Sequence, residues 1–295
     1  MLRREFLTTS ALSAAFASAL PASARAALLR QQPGAPAKLG RAIVKGRIKQ
    51  SVCRWCYQKM PLDELAREAA KMGIVAVDLI GPSEWDTVVK YGLRPSMGFS
   101  GSTIPDGPNT KANHARLEAE FHKNVDLAVT AGVSNLICFS GNRRGMSDEE
   151  GLENCALFLK KVMPHAEDKG IMICMELLNS KVNHKDYMCD HTPWGVELVK
   201  RVGSPRFKLL YDIYHMQIME GDVIRTIRDN IQYITHFHTG GVPGRNELDD
   251  TQELNYATVT RAIIETGFTG YMAHEFIPRR DPMTSLREAV QLCDV

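Results

Sequence analysis

A (β/α)8 barrel, single-domain and α/β in class, is the fold this 295-residue chain predicts, and three observations predict it. Short apolar runs recur near 48–53, 75–80, 93–98, 134–139, 171–176, 207–212, 231–238 and 270–276. Amphipathic stretches separate them near 61–72, 83–91, 111–131, 148–168, 191–202, 216–229, 256–266 and 283–293. Eight strand–helix pairs in about 250 residues have the size of such a barrel. Finally, each of the last four apolar runs closes on a polar residue, and in a barrel of parallel strands those ends meet at one mouth. An open, doubly wound sheet would call for a glycine-rich loop after the first run, and none is there.

Local signals support the individual elements. Leu117, Phe121, Val125 and Ala128 recur at helical spacing. Gly132 and Gly267 fall where a helix C-terminal glycine precedes the next strand. Thr110 is placed to cap the third helix. Ser147, with Glu150 three residues on, has the form of a capping box for the fourth.

The first 26 residues differ in kind. Arg3-Arg4 precedes an apolar, small-residue stretch from Thr8 to Ala22, and Ala24-Arg25-Ala26 forms a small-x-small cleavage site. This predicts a signal peptide over 1–26, of twin-arginine type, and a periplasmic or secreted mature protein. Residues 27–47 read as a linker around Gln31-Gln-Pro-Gly-Ala-Pro, and 48–295 as the catalytic domain. No apolar run reaches the ~20 residues of a membrane span, so no membrane contact is expected once the signal is removed. A net charge of +2 supplies no nucleic-acid surface. The partner expected is a small-molecule substrate, and a homo-oligomer is compatible with all of this. Seven cysteines are scattered along the chain; Cys138 and Cys174 lie inside apolar runs, and Cys53-Arg-Trp-Cys56 reads as structural.

The four closing residues are Glu176, Asp212, His238 and Glu275, spaced by 36, 26 and 37 residues, roughly one strand–helix unit each. Three carboxylates and an imidazole at one point make a divalent-metal site, for which Mg2+ or Mn2+ fits the oxygen-rich set. Nearby loops bring His215, three residues after Asp212, Lys181, five after Glu176, and Arg245 in Gly240-Gly-Val-Pro-Gly-Arg-Asn-Glu. A guanidinium there could grip a carboxylate or phosphate. His236 shares a strand face with His238 and reads as a supporting or core residue. A carboxylate beside a metal and a substrate can take a proton from carbon next to a carbonyl, which is what aldose–ketose isomerisation and epimerisation beside a ketone require.

Glu176-Leu-Leu-Asn-Ser-Lys, Arg201-Val-Gly-Ser-Pro, Asp212-Ile-Tyr-His-Met-Gln-Ile-Met-Glu-Gly-Asp, His238-Thr-Gly-Gly-Val-Pro-Gly-Arg-Asn-Glu and His274-Glu-Phe resemble the xylose isomerase-like TIM barrel superfamily, and within it the hydroxypyruvate isomerase family. The resemblance implies a metal on Glu176, Asp212, His238 and Glu275, with Glu176 and Glu275 as acid and base, and substrate contacts from His215 and Arg245. It implies an intramolecular oxidoreductase interconverting hydroxypyruvate and tartronate semialdehyde, or a related hydroxy-oxo acid or sugar, through an enediolate. His238-Thr-Gly itself resembles the ketose 3-epimerase branch, where hydroxypyruvate isomerases usually carry Gln. A 3-epimerase or a 3-oxo-glycoside lyase on the same site are the alternatives; a non-enzymatic sugar-binding protein would not need both glutamates.

Overall fold

The computed structural model describes residues 40–295, so the expected signal segment and most of the expected linker lie outside the described residues. Nine parallel strands form one sheet: β1 (Lys49–Cys53), β2 (Ala76–Asp78), β3 (Arg94–Pro95), β4 (Gly98–Phe99), β5 (Asn135–Cys138), β6 (Met172–Glu176), β7 (Phe207–Asp212), β8 (Ile234–Thr239) and β9 (Tyr271–His274). The sheet order runs β3-β2-β1-β9-β8-β7-β6-β5-β4. Its two ends are pieces of a single run, so the nine strands make eight positions in a nearly closed barrel. The expected strand at 93–98 is split because it changes partners midway. Ser96 N–H donates to Val77 on one side, while Ser100 N–H donates to Ile137 on the other. Gly98 permits this approach: a Cβ there would lie 2.9 Å from Leu136.

Among the described residues the outer layer holds nine α-helices: α1 (Leu62–Met72), α2 (Trp85–Val89), α3 (His114–Ala131), α4 (Asp148–Lys169), α5 (Thr192–Val202), α6 (Ile213–Met219), α7 (Val223–Asn230), α8 (Tyr256–Glu265) and α9 (Pro282–Leu292). The single helix expected at 216–229 is two, α6 and α7. The break falls at Gly221 and Asp222, both in the left-handed region (φ 66° and 42°), which no continuous helix passes through. Gly132 ends α3 in that same conformation as expected, and Ser147 accepts from Glu150 N–H at the start of α4. Thr110 does not cap α3. A 3-10 turn at Lys111–Asn113 intervenes, and the Thr110 hydroxyl donates to Asn109 instead.

Apolar faces of the helices close on the outside of the strands, where Leu117, Phe121, Val125 and Ala128 are all buried. Inside the ring, Met97, Ile137, Cys174 and Leu210 form a small separate plug. Two-residue alternation then decides what stands above it. Cys174 and Leu210 are in the plug, so Glu176 and Asp212 also point inward, at the C-terminal rim. Register aligns these rims: Asp212 pairs with His238, and His238 with Ala273, the residue two before Glu275.

Packing starts at Arg41, earlier than the expected boundary at Ile48. Ala42 and Ile43 are buried, and both donate their N–H to the Met72 carbonyl. The Asp294 carboxylate then receives the N–H groups of Val44, Lys45 and Gly46 at 2.6, 2.7 and 2.8 Å, tying this segment to the far end of the chain. Asp294→Ala is expected to speed amide exchange at residues 44–46 about 10-fold, the size of one charge-assisted hydrogen bond of ~1.4 kcal/mol. Exchange at the wild-type rate, followed by NMR or mass spectrometry, would show that the carboxylate does not hold the segment.

Candidate metal and proton-transfer site

Four side chains from four neighbouring strand ends converge. Glu176, Asp212, His238 and Glu275 each bring a ligand atom within 4.8 Å of the others, and all four are buried. His238 is the hub. Its Nδ1 lies 2.6 Å from Glu275, 3.2 Å from Glu176 and 3.9 Å from Asp212. Its other nitrogen, Nε2, lies 2.9 Å from Asp78 Oδ2 at the end of β2. Asp78 also accepts from the Ser96 hydroxyl at 2.5 Å and sits 3.2 Å from His236 Nε2. Asp78 fixes the ring through Nε2–H, so Nδ1 faces the carboxylates: the imidazolium donates Nδ1–H to them, and loss of that proton would leave Nδ1 free to bind a metal.

The donor set therefore fits the divalent cation that the sequence predicts. Three carboxylates and one imidazole suit Mg2+ or Mn2+, and the imidazole is already oriented from behind by a carboxylate. The charge pattern agrees: three buried carboxylates at one point demand cations. Arg245 supplies one: its Nη2 lies 2.6 Å from Asp212 Oδ2 and also contacts Glu275. The loop holds it there, with Nε donating to the Glu275 carbonyl and Nη1 2.6 Å from His215 Nε2.

Burial acts on every group here, but its outcome differs. It pushes Glu176 up to about 7, with His238 only partly opposing. Burial also raises Asp212, against the pull of Arg245. In Glu275 the order reverses. Arg245 and His238 overcome desolvation, Trp55 Nε1 donates at 2.5 Å, and the carboxyl falls to about 2. His238 is held well above its ordinary value because Glu275 and Asp78 outweigh burial. Asp78 is lowered by its two histidines despite full burial. His215 is pushed well below its ordinary value by burial and Arg245, so it is neutral.

A cavity of about 650 Å3 opens above these residues, with Glu176, His215, Arg245 and Glu275 on its polar floor. Of the seven residues singled out in the sequence, six come together at this site. Lys181 does not. Its ammonium donates to the carbonyls of Ile218 and Met219 at 3.1 and 2.8 Å, so it is engaged at the C-terminal end of α6, where a cation meets unpaired carbonyls. His236 is the supporting residue expected. Two residues escaped the sequence reading. Asp78 lies within an apolar run that continues to Leu79 and Ile80, which hides the polar end of the strand. Trp55 stood between two cysteines that drew attention as thiols. Both thiols are un-ionised, raised by burial, and Cys53 packs 3.9 Å from His238 Nε2.

Fold and site together define a barrel enzyme with a carboxylate–imidazole centre at the C-terminal rim. Residues 54–294 match the xylose isomerase-like TIM barrel family, and the chain belongs to it. Its relatives include a putative hydroxypyruvate isomerase of Homo sapiens, 30% identical over 264 residues, 88% of this chain and 90% of that protein. The match to a Danio rerio protein of the same name, 29% identical, spans 55% of this chain and 62% of that one. A 2-oxo-tetronate isomerase of Haemophilus influenzae is 26% identical over 78% of this chain and 93% of its own. Among solved structures, AP endonuclease, family 2, from Brucella melitensis superposes with a TM-score of 0.70 at 25% identity, covering 81% of this chain and 97% of that one. The IOLI protein with a bound zinc atom superposes at 0.65 and 14% identity, over 83% and 95%, a likeness of fold.

Asp78→Asn should weaken Mn2+ binding about 10- to 100-fold, the usual cost of losing the group that orients a metal-binding histidine. Calorimetry on the full chain measures this, and an unchanged affinity would show that His238 needs no such support.

Proposed function

We propose that this chain is a metal-dependent isomerase of a small hydroxy-oxo acid or sugar, of the hydroxypyruvate/tartronate semialdehyde type. The observation that carries this reading is a pair of carboxyls, Glu176 and Glu275, that lie 3.2 and 2.6 Å from one imidazole nitrogen and both line the cavity floor. Two carboxyls facing one cavity can serve as acid and base. The relatives' names point to the same chemistry.

Glu176, Asp212, His238 and Glu275 would hold the cation, which when bound supplies positive charge beside the substrate's oxygens. The proton movements belong to the two glutamates. Ionised Glu275 takes a proton from the hydroxyl-bearing carbon while protonated Glu176 gives one to the adjacent carbonyl oxygen. That leaves an enediol. Glu176 then takes the proton from the other oxygen, and Glu275 returns its own to the neighbouring carbon. Hydroxyl and carbonyl have exchanged places and both carboxyls are restored. Arg245 and His215, on the cavity floor, would orient the substrate's carboxylate or hydroxyls. Trp55, donating to Glu275 Oε1, fixes which oxygen of that carboxylate faces the reacting carbon.

The purified full chain with Mn2+ or Mg2+ is expected to turn over hydroxypyruvate in a coupled assay. Turnover of a free ketose with none of hydroxypyruvate would sink this reading in favour of a 3-epimerase, the branch that His238-Thr-Gly resembles. Glu275→Gln should lower kcat at least ~100-fold, as loss of an acid/base group does, with the folded circular-dichroism spectrum retained. Residual activity above about a hundredth would remove Glu275 from that role.

A further inference from the structure

The cavity is larger and more apolar than a three- or four-carbon acid needs. Hydroxypyruvate has seven heavy atoms; at roughly the ~30 Å3 that a water occupies, they fill at most about 200 Å3. The cavity is about 650 Å3, in the range that binds ligands of several rings. All its charge lies on the floor. Above the floor Leu79, Phe99, Ile104, Phe139 and Ile277 make apolar walls, with Trp55 at one shoulder, while Asn183, His184 and Tyr214 supply the polar part of the remaining lining.

The exposure of these walls is unusual. Phe99, Ile277 and Trp55 are 43%, 44% and 36% exposed, and Val182, also on this cavity, is 61% exposed. Large apolar side chains left in water around a concave site mark a surface kept for a ligand. Trp55 and Ile277 also line a second hollow of about 460 Å3, reached past the same shoulder, where Gln58, Lys59 and Glu64 restore polarity.

We propose that the substrate carries an apolar ring, aryl in type, on its hydroxy-oxo unit, and that Trp55, Phe99, Phe139 and Ile277 seat that ring. This rests on the isomerase reading for the reacting end. A second sugar ring fits the walls less well. Phe99, Ile104, Phe139 and Ile277 offer no side-chain hydrogen-bonding group, so hydroxyls pressed against them would be desolvated without partners. Trp55 links the two ends: its ring forms the shoulder while its N–H holds Glu275. A ring stacked on Trp55 therefore rests on the side chain that orients the proposed base.

The test separates binding from turnover. Calorimetry on the full chain with Mn2+ compares two unreactive probes, phenyl β-D-glucopyranoside and methyl β-D-glucopyranoside. The phenyl probe should bind about 10- to 100-fold tighter, the worth of burying one ring. Phe99→Ala and Ile277→Ala, both at exposed positions the fold does not rely on, should each cut that ratio several-fold. Equal binding of the two probes, or a ratio untouched by both variants, would overturn the proposal. Hydroxypyruvate turnover is measured separately. Turnover with equal probe binding leaves the isomerase reading and removes the ring; no turnover with a strong phenyl preference keeps the ring and removes hydroxypyruvate itself as the substrate.

Discussion

Three carboxylates share one buried point, and their mutual repulsion is the constraint around which the rest of the site is arranged. At ~4 Å two like charges repel by about 4 kcal/mol even in the partly screened dielectric of a protein surface, and more deeper down. Nothing apolar can offset this; positive charge can, and so can a proton on one of the three, as the rise of Glu176 to about 7 shows. The chain brings two cations of its own, the His238 imidazolium and the Arg245 guanidinium, and the donor set has room in its chemistry for a divalent ion as a third. Asp212 is raised mainly by its burial, against the pull of Arg245, with Glu275 adding a smaller push in the same direction.

That constraint explains the second layer. An imidazole that must serve carboxylates on one nitrogen has to be held by the other, and Asp78 does so from β2, three strands away round the ring. Asp78 is itself fully buried, so it carries its own escort of Ser96 and His236. Arg245 is fixed just as firmly. It stands at φ 58°, in a loop whose backbone returns to Gly241 and extends a carbonyl to Ile277, so the chain leaving β8 is stitched to the chain leaving β9. The guanidinium thereby meets Asp212 and Glu275 together.

Much of this was legible from residue order, and the reason is geometric. A parallel barrel turns "last residue of an apolar run" into "rim of the mouth", so Glu176, Asp212, His238 and Glu275 could be grouped from spacing alone. The same rule missed Asp78 because Leu79 and Ile80 extend the run past the true strand end. It misplaced Lys181 because a loop residue's partner is set by three-dimensional approach: the end of α6 lies beside it, although 37 residues separate Lys181 from Ile218 in sequence. The split of the third strand was hidden for a related reason. Run 93–98 looks like one strand because it is one chain segment; only the ring's closure shows that it pairs first with β2 and then with β5.

Charge at the rim and neutrality below it follow from the same barrel. His274 lies on the outer face of β9, where burial pushes it down to about 3, and it is held neutral between Thr239 and Gln50. One residue further on, Glu275 is ionised. The difference is one of direction, since alternation sends His274 into the helix layer and Glu275 into the mouth, beside Arg245 and His238. Adjacent titratable residues thus reach opposite states from a single change of face. A register slip of one residue in β9 would exchange them, placing a carboxylate among helices without a cation and an imidazole where the acid–base pair requires an anion. The pairing of His238 with Ala273, which excludes that slip, is as much a part of the site as the carboxyls it aligns.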